Sequence, residues 1–167
     1  NRLSDGTHTY TARVVDAEGA SPASAAYRIT VDTVNNKTAT ITSITDNVAP
    51  GTGTVRDGGT TNDPTPTLRG SLSAPLAAGE ELQVLRNDTV ITSSPTVSGR
   101  NWSFTDSGLT NGDYDYTVRV VDAAGNIGRE SAVYDLRVSL PRAGSADADD
   151  PAGGAPDAPS AITIEEL

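Results

Sequence analysis

One stretch of this chain is written twice. Leu3-Ser-Asp-Gly-Thr-His-Thr-Tyr-Thr-Ala-Arg-Val-Val-Asp-Ala-Glu-Gly19 lies over Leu109-Thr-Asn-Gly-Asp-Tyr-Asp-Tyr-Thr-Val-Arg-Val-Val-Asp-Ala-Ala-Gly125, with 10 of 17 positions identical. After a one-residue shift the match resumes, Ser24-Ala-Ala-Tyr-Arg-Ile-Thr-Val31 over Ser131-Ala-Val-Tyr-Asp-Leu-Arg-Val138. The period is 106–107 residues. Solenoid repeats run to roughly 20–45 residues, so this period fits a bead-like domain instead. Only two residues precede Leu3, whereas the second copy follows a long stretch that begins at about Thr38. The expected organisation is therefore the C-terminal part of one repeat at 1–34, a complete repeat at 38–140, and an acidic Ala/Asp/Gly/Pro-rich linker or tail at 141–167. We expect the chain to be a fragment of a longer tandem array.

The complete repeat reads as strands. Ala39-Thr-Ile-Thr-Ser-Ile-Thr45 is rich in β-formers and alternates. Residues 46–64 are expected to form a long loop, thick with Gly, Asp, Asn and Pro. Strands follow at Thr65–Ser73, Glu80–Arg86 and Thr89–Thr92, the last two joined by an Asn87-Asp88 turn signal. Asn101–Thr105 alternates, with Trp102 and Phe104 on one face. Tyr114–Val121 alternates most clearly, and Ser131–Leu140 closes the repeat. Nothing shows a helical apolar period. About seven short strands in ~100 residues describe an all-β fold, an immunoglobulin-like antiparallel β-sandwich. Leu109-x-x-Gly112-x-Tyr114 resembles the corner at which a Tyr hydroxyl ties a turn in such sandwiches.

Composition trims the functional menu. With no Cys there is no disulfide frame, zinc ribbon or thiol nucleophile, and one His cannot make a multi-His metal site. The net charge of −10 repels phosphate backbones, so nucleic acid is not an expected partner. Apolar runs are too short to span a membrane. Half of that charge, −5, falls in 141–167 and says nothing about a site. The other −5 belongs to 38–140.

Asn101-Trp-Ser-Phe-Thr, then Leu109-x-x-Gly-x-Tyr, then Asp122-Ala-Ala-Gly-Asn126 resemble the repeating bacterial immunoglobulin-like domains of large surface adhesins and biofilm-associated proteins. Ile44-Thr-Asp-Asn47 and Thr61-Asn-Asp-Pro-Thr-Pro-Thr-Leu-Arg-Gly70 are similar to the same family's early segment. The resemblance covers about 1–140. It implies a non-catalytic extender of a secreted or cell-surface protein, packed against neighbouring repeats of the same chain. It also implies Ca²⁺ at the domain junctions as a stiffening ion.

The carboxylates are the candidate ligands. Ca²⁺ takes roughly six to eight oxygens, which Asp/Asn/Gly-rich loops supply. Asp46, Asn47 and Asp63 lie in the early loop with Asp57 and Asn62. Asp122 and Asn126 lie between the last two strands, mirrored by Asp16 and Glu18 in the first copy, and Asp32 lies in the link. In a sandwich of this type the last inter-strand loop sits where the first strand enters. Asp122 and Asn126 are therefore expected to face the incoming linker and Asp32, and Asp46 and Asp63, at the opposite end, to face the next domain. The same residues also read as ordinary turn formers.

The other candidates have plain readings. His8 stands where the second copy has Tyr114, so it reads as a corner residue. Trp102 reads as core rather than a sugar platform. Asp57-Gly58-Gly59 is a turn with no helix after it to bind phosphate. Glu80 and Glu81 face opposite sides of a strand and cannot flank one scissile bond. Two rival functions stand beside the extender. One is a glycan- or protein-binding module using loops 74–79 and 123–129; the other is an accessory β-domain of an extracellular hydrolase. Residues 1–33 hold only two strands of a sandwich, and a lone hairpin is marginal in water. The tail is expected to be extended, with β-like alternation returning at Ser160–Leu167.

Overall fold

The computed structural model describes residues 2–91 and 94–141. The expectations for the tail beyond Pro141 lie outside the described residues. Four strands form the N-terminal part: β1 (Gly6–Tyr10), β2 (Val15–Asp16), β3 (Gly19–Ala20) and β4 (Tyr27–Val31). Ten follow among the described residues: β5 (Ala39–Asp46), β6 (Gly53–Val55), β7 (Gly59–Thr61), β8 (Thr67–Leu72), β9 (Glu81–Arg86), β10 (Thr89–Val90), β11 (Thr96–Ser98), β12 (Asn101–Thr105), β13 (Gly112–Val121) and β14 (Tyr134–Val138).

The ten later strands make two five-stranded sheets, ordered β10-β9-β13-β14-β7 and β11-β12-β8-β5-β6. Their inner faces meet in one core around Ile44, Leu68, Trp102, Tyr116, Val118 and Leu136. This is the all-β immunoglobulin-like sandwich that the alternating pattern implied. Trp102 is 3% exposed and Phe104 6%, so both fill the core as expected. The Trp102 ring is seated on a glycine: a Cβ built on Gly70 would lie 2.5 Å from ring carbons and 1.9 Å from the Thr40 carbonyl oxygen. Asn87 and Asp88 both have positive φ, 49° and 61°, the two-residue hairpin turn their side chains tolerate best.

The expected loop at 46–64 is corrected by the structure, because it contains two strands. β6 extends the β5 sheet antiparallel, and β7 then joins the other sheet parallel to β14. The switch turns at Arg56-Asp57-Gly58, where the Gly59 N–H donates to the Arg56 carbonyl at 2.8 Å and Gly58 takes φ +72°. Three-residue strands with glycine carry too little alternation to be read. The last strand is also shorter than expected: β14 begins at Tyr134, and Val133 is 49% exposed.

A second departure sits inside β5. Ile41 and Ile44 are three residues apart and cannot share a face of a regular strand. The pairing with β8 slips between Ile41 and Ser43, and Thr42 is the extra residue of the bulge. The slip returns Ile44 to the inner face and carries Asp46, two residues on, inward with it.

The N-terminal part repeats the last hairpin in detail. β1 pairs with β4 as Gly6↔Val31 through Tyr10↔Tyr27, and β13 pairs with β14 as Gly112↔Val138 through Tyr116↔Tyr134. All five pairs match under the sequence alignment. Ser24 and Ser131 do the same work, accepting from Ala12 N–H and Val118 N–H at 3.0 and 3.1 Å. The contexts differ. Tyr116 is fully buried, whereas its counterpart Tyr10 is 45% exposed and Tyr27 70%.

Candidate functional site at the two ends of the repeat

β5 begins beside the 122–128 loop, and β14 ends beside Thr61, where the Ser139 N–H donates to the Thr61 carbonyl at 2.8 Å. The complete repeat therefore has an upstream end, where the linker arrives, and a downstream end, where the chain leaves. The sequence-derived candidates divide between them.

At the downstream end the inward turn of Asp46 matters. Asp46 is 3% exposed and Asp63 0%, so, against expectation, both carboxylates turn into the repeat and do not face the next domain. Thr61 joins them: its hydroxyl donates to Asp46 Oδ2 at 2.6 Å and accepts from the Asp63 N–H at 3.0 Å. Asp46 Oδ1 also takes the Val48 N–H, and Asp63 takes the N–H groups of Asn47 and Thr65 and the Thr65 hydroxyl. Burying carboxylates without a cation is costly unless donors surround them. Here every donor is a backbone amide or a hydroxyl. Asn47 contributes its backbone N–H, and Asn62 donates its side-chain amide to the Ala49 carbonyl at 2.8 Å. Asp57 is not part of this group; it accepts from the Asp135 N–H of β14.

At the upstream end Asp122 accepts from the Ala124 and Asn126 N–H groups through Oδ1 and from the Asn126 side-chain amide through Oδ2. The Asn126 amide, first, and the loop N–H groups hold the Asp122 carboxyl below the usual carboxylate range, although burial opposes this. The same Asn126 Nδ2 donates to the Asp32 carbonyl at 3.0 Å, so Asp122, Asn126 and Asp32 meet as the topology implied. Asp32 takes part through its main chain, while its exposed carboxylate caps the Val34 N–H. Asp16 stands apart from this group in its own loop, accepting from Glu18 and Gly19 N–H.

Two residues of the upstream end gave no signal in the sequence. Asn35 donates its amide to the Val120 and Asn126 carbonyls, each at 3.0 Å. Lys37 donates to the Pro75 carbonyl at 2.8 Å and pairs with Glu80. The hydrogen bond from Lys37 lowers the Glu80 carboxyl, and the Ala77 N–H adds to it. Loops 74–79 and 123–129 lie side by side here, since a Cβ on Gly79 would sit 2.9 Å from that of Ala123.

His8 has the plain role. Its Nε2 lies 2.7 Å from the Ser4 carbonyl, and Tyr114 Oη donates to the Thr110 carbonyl at 3.0 Å. Ser4 and Thr110 are aligned positions, so the imidazole reproduces the tyrosine corner of the second copy.

A family model described as a bacterial Ig-like domain matches residues 38–138. The chain belongs to the bacterial Ig-like domain family. No curated protein matches it. The match begins one residue before β5 and ends at the last residue of β14, so it takes in the sandwich of this bacterial Ig-like domain from first strand to last. No helix of the described residues is long and apolar enough to cross a membrane. Among the described residues no three His, Cys, Asp or Glu side chains gather as a metal-holding group. A cation at either end would therefore have to draw on amide and carbonyl oxygens beside one or two carboxylates.

Proposed function

We propose that this chain is part of a structural extender, a run of Ig-like repeats in a secreted or cell-surface bacterial adhesin that acts in cell adhesion or biofilm formation. The observation that carries the reading is the duplicated hairpin with its identical register, followed by a sandwich whose chain enters at one end and leaves at the other. Repeats joined in that manner add length with each copy. The module has no catalytic part in this reading. Family membership supports a place outside the cell, because such domains belong typically to extracellular proteins.

Calcium belongs to the proposal as a stiffening ion at the junctions. Support comes from the upstream end, where the Asp122 carboxylate lies beside Asn126 and Asp32. Two complete repeats titrated with Ca²⁺ should give binding heat and a higher melting temperature. No heat and no shift would remove calcium from the reading. Placement is tested in the parent protein by labelling intact cells with an antibody to the complete repeat. Surface signal, with adhesion lost when the repeats are deleted, is the expected result. Signal only after lysis would overturn it.

A further inference from the structure

The linker between the two repeats, residues 32–37, is held to the second at Asp32, Asn35 and Lys37. Asn126 Nδ2 grips the Asp32 carbonyl at 3.0 Å, one residue past the end of β4. Asn35 Nδ2 spans the Val120 and Asn126 carbonyls, and Asn35 Oδ1 accepts the Lys37 N–H, each at 3.0 Å. Lys37 then anchors the far end on Pro75 and Glu80. The fit is close: a Cβ on Gly128 would lie 2.7 Å from the Lys37 carbonyl and 3.3 Å from Asn35 Cγ. A free six-residue linker would let the repeats swing. Here the first residue after β4 is already tied to the next repeat.

We propose that the 122–128 loop is a receptor for the linker of the preceding repeat, and that Asn35 and Asn126 fix the direction in which that repeat projects, a hold made before any junction Ca²⁺ adds its stiffening. The bonds these asparagines make between linker and repeat join neutral amide and carbonyl groups, which neither chelator nor salt removes. The inference goes beyond the extender reading and does not depend on where the parent protein resides.

The test is backbone ¹⁵N relaxation on the full chain in excess chelator. Amides of residues 33–37 should show order parameters near those of β13, about 0.85. Asn35→Ala and Asn126→Ala should each drop them below about 0.6 while β13 stays unchanged, which also certifies the fold. Asn35→Asp keeps the size and the acceptor for the Lys37 N–H but loses both donors, and should loosen the linker as the alanine does. A mobile linker in the unmodified chain that orders only on adding Ca²⁺ would overturn the proposal. So would unchanged order in all three variants.

Discussion

Tyr116 Oη donates a 2.6 Å hydrogen bond to Asp106 Oδ2, both residues lying beneath the surface at 0% and 4% exposure. Arg86 closes the group, with Nη1 at 2.9 Å from each Asp106 oxygen. The guanidinium also lies 5.9 Å from the Tyr114 ring centroid. Burial, first, and the carboxylate bond raise the Tyr116 phenol above its ordinary value, so it remains a donor. Tyr116→Phe removes one bond to a charged acceptor and should cost about 1.5–3 kcal/mol in urea unfolding. Asp106→Ala should cost more, because it strands both the phenol and the guanidinium. A loss under about 0.5 kcal/mol for Tyr116→Phe would mean the bond adds nothing beyond what water offers the unfolded chain.

Asp115 and Asp135 are directly opposed across β13 and β14, with Asp57 beside them. Like charges in that relation repel. The Asp135 carboxyl is held above its usual range by partial desolvation, then by the charges of Asp115 and Asp57. A raised carboxyl favours the folded state while it is protonated. That advantage is full below the unfolded pKa of about 3.9 and lost as pH rises through the higher folded value. Asp135→Asn should therefore raise the melting temperature at pH 7, with the gain fading as the pH falls through the raised folded value and gone by about pH 3. An equal gain at both pH values would show that charge is not its source.

The first hairpin makes the same backbone bonds as the last, yet Tyr10 and Tyr27 stay exposed where Tyr116 is buried. Hydrogen bonds without packing open readily. In this chain the amides of β1 and β4 should exchange orders of magnitude faster than those of β13. Comparable protection, read by native-state hydrogen exchange, would mean the hairpin is stable on its own.

Gly70 lies under the indole ring and against the Thr40 carbonyl, to which Trp102 Nε1 donates at 3.2 Å. A methyl group there meets backbone at 1.9 Å, and backbone in the middle of a sheet does not yield cheaply. Gly70→Ala should destabilise the domain by about 3 kcal/mol or more, with a shifted Trp fluorescence spectrum. A near-neutral melting temperature would show that β5 can move away.

What could be read from the sequence was what is local. The doubled segment announced its hairpin, the Trp102 and Phe104 spacing announced a core face, and Asn87-Asp88 announced a turn. Each depends on neighbours within a few positions. β6 and β7 escaped because three residues with glycine give no period, and their partners lie elsewhere in the chain. Asp46 and Asp63 stood out as polar loop residues. The burial of Asp46 could not be seen, because it depends on the bulge at Thr42 that turns this residue inward. Asn35 escaped for a similar reason: the carbonyls it meets belong to residues 120 and 126.

The parallel pairing of β7 with β14 bears on mechanics. β7 is tethered through β6 and β5 to the upstream end, and β14 runs out at the downstream end. Tension applied along the chain axis drags these two strands past each other lengthwise. The bonds around Leu136↔Gly59, Arg137↔Thr60 and Val138↔Thr61 then share the load together instead of parting one after another. A domain built so is strongest along the direction in which a row of them would be pulled.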